Sequence, residues 1–484
     1  MKHTGKLNLK PENVFYYFEQ LAAIPHGSRN TKQISDYLVG FAKEQGLEYY
    51  QDDANNVVMI QEATPGYENA EPIIIQGHMD MVCEKESGCD IDFEKDGLKL
   101  YVDGDFLKAK GTTLGGDDGI AVAYALAILA DEEIEHPRLE VVITVDEEIG
   151  MLGAESIELP MLKGHKMLNI DSDEEGRFLI SCAGGMTVET TIPVTYMNQK
   201  GLSFTVTVAG LEGGHSGSEI DKEHGNANIL MGRILKYLSD RMEMGIATLA
   251  GGLKDNAIPR ECTAKILIPA EKKEEMISSI RSIEAILQKE YAIPDPNLCI
   301  DVTEEKECEV PILSYAAMTK VIFYLCNVPN GVQHMSMVMP GLVETSLNAG
   351  IMELTDESLK VISSVRSSVS SRKDELGDRL QYLAEFLGGE TEISGSYPAW
   401  EYRAHSEIRE GISAVYKDLF GEEPIFEAIH AGLECGILSG KITDLDCVSF
   451  GPNNYDIHTP KERLSISSTE RVWRLLVEFL KRSK

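Results

Sequence analysis

Apolar runs that end in polar residues dominate the first 180 positions of the chain. Ile73, Ile74 and Ile75 lead into Gln76, Gly77 and His78, which predicts a buried strand stopping near His78. Residues 139–145, LEVVITV, predict a fully buried strand, and residues 56–61, 167–170 and 447–450 predict shorter ones. Helical spacing covers residues 11–24 and 31–45, the second capped by Asn30 and ended near Gly46. Residues 98–108 read as a hairpin turning at Asp103-Gly104. In GTTLGGDDGIAVAYALAILAD, residues 111–131, a glycine-rich loop opens a helix that is apolar on every side and so must be buried all round.

Past residue 186 the period changes. Residues 187–194 and 202–208 alternate as half-buried strands, 227–242 and 271–288 form amphipathic helices, and 257–269 and 359–368 are further strands. This is an α+β pattern, so residues 187–398 are expected to form an inserted domain. The chain then returns through a helix over 406–420, a strand over 425–428 and a last helix over 469–481. The expected fold is an α/β catalytic domain on a mixed sheet, built from residues 1–186 and 399–484, carrying the α+β insertion as a lid.

Composition narrows the partners. With 484 residues, 43% hydrophobic and 26% charged, two ordinary domains are the natural reading. A net charge of −34 repels phosphate backbones, so nucleic acid is not an expected partner. No apolar run is long enough to span a bilayer, and the N-terminal stretch lacks a signal-peptide core, so a cytoplasmic protein with no membrane partner is expected. Nine scattered cysteines without a CxxC pair read as reduced thiols.

The chemistry gathers at strand ends. His78 and Asp80 share one side of an extended backbone. Asp117 and Asp118 open the buried helix, where capping is the alternative to a site role. Asp146, Glu147 and Glu148 follow the strand at 139–145, Asp171 follows 167–170, and His458 lies in the loop after 447–450. Ligands at the carboxyl ends of strands are the rule for open α/β sheets. His78, Asp117, Glu148, Asp171 and His458 form a nitrogen and oxygen donor set without thiolate, suited to Zn²⁺. Five donors exceed one tetrahedral ion but serve two ions about 3.5–4 Å apart, with Asp117 the natural bridge. Asp80 then orients His78, and Glu147 is left beside Glu148 to move a proton.

The blocks QGHMDMV (76–82), LGGDDGIA (114–121), VDEEIGMLGA (145–154), LNIDSDEEG (168–176) and GGHSG (213–217) resemble the signatures of the di-zinc exopeptidases of the aminoacylase and carboxypeptidase superfamily. SCAGG (181–185), HAGLECGI (430–437) and FGPNNYDIHTP (450–460) extend the similarity over nearly the whole chain. The resemblance implies two Zn²⁺ per subunit, replaceable by Mn²⁺ or Co²⁺. His78 and Asp171 would hold one, Glu148 and His458 the other, with Asp117 bridging, Asp80 orienting and Glu147 as general base. It also implies a cis peptide between Asp117 and Asp118, and a lid histidine, His215, that brings positive charge to the oxyanion from the partner subunit of a homodimer. Asn256, Arg366, Gly432 and Glu434 match substrate-holding positions, Arg366 being suited to a terminal carboxylate or to a structural salt bridge.

Where many relatives have Gly-Gly-Thr-Asp, this chain has Ala431-Gly432-Leu433-Glu434-Cys435, which fits the dipeptidase branch. The implied activity is hydrolysis of unblocked dipeptides, with C-terminal histidine preferred and a β-alanyl residue tolerated, by a zinc-bridged hydroxide. The alternatives are an N-acyl amino-acid deacylase or tripeptidase on the same scaffold, a single-metal amidohydrolase, and a non-catalytic metal-binding scaffold protein.

Overall fold

In the computed structural model, which describes residues 5–484, the isoleucine run forms the strand Ile73–His78, buried at every position. Leu139–Thr144 and Lys166–Asn169 flank it, both parallel to it, and Asp446–Ser449 runs parallel beyond the latter. Register pairs His78 with Thr144, and Gln76 with Asn169, which in turn pairs with Ser449. Four strands from distant parts of the chain therefore end at one level. Parallel strands covered on both faces have to be apolar throughout, which is why they read as continuous runs rather than alternations. Antiparallel pairing carries the sheet on through Val57–Gln61 to Glu48–Gln51 at one side. Arg177–Cys182 and Ile425–Ile429 complete eight strands at the other, so the sheet is mixed.

The helix Gly116–Leu129 is buried everywhere except at Asp117. It packs on Glu12–Ala22, and Tyr124 donates to the Thr469 carbonyl (2.8 Å) and stacks on Trp473 of the last helix, Ile466–Arg482. Each fully buried Leu or Ile there contributes about 1.5–3 kcal/mol. The helix Lys32–Gln45 ends at Gly46 as expected, with φ at +68°, but its N-cap is Thr31 and not Asn30, and no side chain bonds the first turn.

The chain divides into two compact units. The first holds the chain up to Ser181 with Tyr402–Ala428 and Leu433–Lys484; the second is Cys182–Glu401 with the short return Ile429–Gly432. The second unit is an antiparallel sheet of nine strands with one face under the helices Ala227–Ser239, Lys273–Glu290, Tyr315–Asn327 and Ser370–Phe386. The strand expected over 257–269 is two, Ala257–Ile258 and Cys262–Ile268, because Pro259 interrupts the ladder. Cys299–Leu313, the sheet's outer strand, carries the charged run Glu304-Glu305-Lys306-Glu307 in its middle and gave no apolar signal. Among the described residues no helix is long and apolar enough to cross a membrane, and no cysteine is in a disulfide.

Candidate metal centre

His78 closes its strand with a side chain only 1% exposed. Its Nδ1 lies 2.9 Å from the main-chain carbonyl of Asp80 and 3.5 Å from the Asp80 carboxylate, so Nδ1 carries the proton and Nε2 turns toward the other donors. The carbonyl, and not the carboxylate expected from the sequence, is the nearer acceptor. The reason is that the carboxylate is already engaged: Oδ2 accepts from the Ser28 hydroxyl (2.8 Å) and Oδ1 from the amide of Glu147 (3.1 Å). Asp80 thereby ties the His78 strand end to the acidic loop after Leu139–Thr144.

Asp117 faces two ways. Its Oδ1 is 3.2 Å from His78 Nε2 and its Oδ2 is 3.1 Å from His458 Nε2. Beside His78, Asp171 Oδ1 stands 3.5 Å from the same nitrogen; beside His458, Glu148 Oε2 stands 3.0 Å from its Nε2. Two imidazole–carboxylate pairs thus share one carboxylate, the arrangement of a bridge. Glu147 Oε2 is farther out, 4.0 Å from His78 Nε2. Local backbone makes this possible: Asp146 and His458 both adopt left-handed φ (+54° and +61°), turning the chain sharply at the acidic loop and at the histidine. The Asp117–Asp118 peptide is cis, as the resemblance implies. Asp118 points beneath the site, its Oδ2 accepting the amide of His78 at 3.1 Å. His78, Asp118 and Asp171 also form a compact donor group, as do His78, Asp117 and Glu148.

The electrostatics are those of a cation site. Burial resists ionisation of Asp117, yet His458 and His78 hold its carboxyl well below the usual range. Hydrogen bonds to Asp117 and Glu148 raise His458 to about 10. Burial pushes Asp171 up to about 6. Burial, opposed by His78 and assisted by the carboxylates of Asp171, Glu434 and Glu148, pushes Glu147 up to about 9. Among the described residues no Lys or Arg nitrogen comes within 4.0 Å of these four carboxylates. Glu148 Oε1 is buried without a hydrogen-bond partner. A crowded carboxylate set with an orphaned oxygen, two imidazoles and no Lys or Arg within 4.0 Å among the described residues fits divalent ions.

Glu434 belongs to the same unit and is fully buried. It accepts from Thr144 (2.7 Å) and Gln76 (2.5 Å), while its Oε1 has no partner. Burial moves its carboxyl up to about 7. It lies behind the strand ends, against side chains of the two strands that carry His78 and Glu147.

The second unit holds the remaining predicted residues. His215 sits on the two-residue strand Gly214–His215, paired with Ala257–Ile258. The amides of Gly217 (3.2 Å) and Ser218 (3.1 Å) both point at its Nδ1, which must therefore accept, leaving the proton on Nε2. Burial and the Arg366 charge lower its pKa. With Nδ1 accepting, the ring offers an Nε2–H donor and its neutral form is favoured, while the Glu219 carboxylate, which takes the His215 amide (2.8 Å), works the other way. Arg366 donates to the Tyr397 hydroxyl (3.1 Å), has an unpartnered Nε, and meets no carboxylate within 4.0 Å among the described residues, so it is not the structural ion pair considered above. Asn256 is exposed, with its main-chain carbonyl bonded to the Ser216 amide (2.9 Å), and Gly432 is half-buried.

Sequence reasoning missed His430. It is buried, bonded through Nε2 to Ser346 (2.7 Å), and pushed down to about 3 by burial and Arg366. Its position within HAGLECGI was the only available signal. It also missed Glu462, four residues after His458, whose buried carboxylate faces main-chain amides.

Residues 74–482 match the model of peptidase family M20/M25/M40. The chain is 37% identical to the cytosol non-specific dipeptidase of Escherichia coli over 478 residues, which cover 98% of both chains. Its structure is similar to that of aminoacylhistidine dipeptidase from Vibrio alginolyticus, with TM-score 0.91, 36% identity, and coverage of 99% and 98%. Aminopeptidase PepT from Bacillus cereus shares the fold at TM-score 0.56 and 14% identity, with 98% and 99% covered.

Proposed function

The chain belongs to peptidase family M20/M25/M40, and on that premise we propose that it is a metal-dependent dipeptidase acting on unblocked dipeptides, those ending in histidine among them. The observation that carries this reading is the two-sided Asp117, with one oxygen toward His78 and Asp171 and the other toward His458 and Glu148. The Escherichia coli relative is a non-specific dipeptidase and the Vibrio alginolyticus protein an aminoacylhistidine dipeptidase, and together they support dipeptides as the substrate class. The former is a cytosol enzyme, which supports a cytoplasmic location here.

His78, Asp117, Glu148, Asp171 and His458 would hold two Zn²⁺, and Mn²⁺ or Co²⁺ would be accepted by the same donors. When bound, such ions polarise the scissile carbonyl and acidify water. Asp80 keeps the proton of His78 on Nδ1 through its carbonyl, and its carboxylate holds the main-chain amide of Glu147. Glu147 takes a proton at its carboxylate and returns it to the leaving amine nitrogen; the work needs its ionised form, which bound cations would favour by drawing the carboxyl down from its raised metal-free position. His215 donates its Nε2 proton as a hydrogen bond to the developing oxyanion. Arg366, whose Nε is unclaimed, takes the terminal carboxylate, with Asn256, Gly432 and Glu434 completing the substrate contacts. The second unit serves as the lid and the dimer-forming domain.

The test is metal analysis coupled to a substrate panel of dipeptides, tripeptides and N-acetyl amino acids. Two ions per chain with turnover confined to dipeptides is expected. Preference for tripeptides or N-acetyl amino acids would shift the reading to a tripeptidase or deacylase. No hydrolysis by the fully loaded protein would leave a metal-binding scaffold.

A further inference from the structure

One carboxylate that the chemistry above does not use ties two loops of the centre together. Glu462 is 3% exposed and lies 345 residues beyond Asp117. Its Oε2 accepts the amides of Leu114 (2.7 Å) and Gly115 (3.1 Å). Its Oε1 accepts those of Gly116 (2.9 Å) and Asp117 (3.3 Å), and the Asn454 side-chain amide (3.1 Å). These amides belong to the turn ahead of the regular helix, since Asp117 (φ −87°, ψ 105°) and Asp118 (φ −117°, ψ 31°) are non-helical, and Gly115 has no side chain to bond them. Asp117 does not spend its carboxylate on these amides: a carboxylate from the far end of the chain takes them, and the Asp117 oxygens face His78 and His458.

The turn tolerates no simple replacement. A Cβ on Gly115, where φ is +68°, would stand 2.9 Å from Met81 Sδ, and one on Gly116 would stand 2.8 Å from Asn454 Nδ2. The Asp117 amide is one of the four that Glu462 holds, so this carboxylate helps to set the direction in which the Asp117 side chain leaves the backbone. Glu462 also follows His458 on the same loop, so Asp117 and His458 are positioned against each other through one residue.

We infer that Glu462 is a positioning residue of the metal centre, holding the 114–117 turn so that Asp117 offers one oxygen to each half of the site. This rests on the metal-centre reading above. The competing account is a helix cap that stabilises the fold and nothing more, and ion affinity separates the two. Metal-free full-length protein is titrated with Zn²⁺ against a competing chelator, for the native chain, Glu462→Gln and Glu462→Ala. Glu140→Gln serves as control: Glu140 is another buried carboxylate that accepts main-chain amides, from Lys163 and Gly164 (2.9 Å each). Thermal unfolding is followed in parallel.

A weakening of Zn²⁺ affinity by about 10-fold in Glu462→Gln and about 100-fold in Glu462→Ala is expected, the range found for residues that orient metal ligands. Glu140→Gln should lower Tm without moving affinity. If Glu462→Ala does not fold, Glu462→Gln decides. Affinities within twofold of native in the Glu462 variants, with Tm lowered as in the control, overturn the inference and leave a plain cap. A native chain that takes up no Zn²⁺ removes the metal-centre reading itself, a different outcome from the same titration.

Discussion

Replacing Glu147 with Gln should break turnover and raise stability at once. The change keeps the amide that bonds Asp80 and leaves His78, Asp117, Glu148, Asp171 and His458 untouched, so metal content should stay at the native level. Loss of the proton carrier should lower kcat by about 10²–10⁴, the usual contribution of a general acid–base group. Stability moves the other way. In the folded protein the Glu147 carboxyl is raised from 4.5 to about 9, chiefly by burial. A raised carboxyl keeps its full contribution to stability below pH 4.5 and loses it progressively up to about pH 9, because only the unfolded chain ionises freely in that window. At pH 7 the span is 2.5 pH units, an upper bound of about 3 kcal/mol at 1.36 kcal/mol per unit, and neighbouring carboxylates share part of it. Metal-free Glu147→Gln should therefore unfold at higher urea than metal-free native protein at pH 8, and at the same urea near pH 4.5. The assays are zinc content, kcat on a dipeptide and urea unfolding at the two pH values. Turnover near native with full metal would falsify the proton role. A stability difference that does not grow with pH would sink the electrostatic argument.

Two further changes probe other parts of the site. His215→Ala should lower kcat by about 10²–10³ with little change in KM, the effect of losing one oxyanion donor; steady-state kinetics check it, and an equal loss in KM alone would assign the residue to ground-state binding. Gly77→Ala drives a Cβ to 2.4 Å from Asp118 Oδ2 and 2.6 Å from the Ala121 Cβ, so stability should fall by about 1–3 kcal/mol, read from denaturant unfolding.

The parts of this site that declared themselves in the sequence are those in which one residue type does one job at a predictable place. A β-branched run ending in His78 and LEVVITV ending in Asp146-Glu147-Glu148 could be aligned because buried parallel strands leave little choice of burial pattern. Contacts made by the main chain left no such trace. The carbonyl of Asp80, the two amides that fix the His215 tautomer and the four that meet Glu462 are present in every sequence, and only their arrangement in space gives them meaning. The strand Cys299–Leu313 went unread for a related reason: it lies at the sheet edge, where a run of charged residues, Glu304 to Glu307, is tolerated and resembles loop composition.

The level at which the four parallel strands end also fixes when the enzyme comes into being. His78, Asp117, Glu148 and Asp171 are all made early, but the strand that leads to the last histidine, Asp446–Ser449, must slot in beside Lys166–Asn169 before that histidine can be delivered. Asp117 waits 341 residues for His458. On the proposed ligand set, a growing chain therefore carries a half-built centre through most of its synthesis, and peptide cleavage would have to wait for its last histidine.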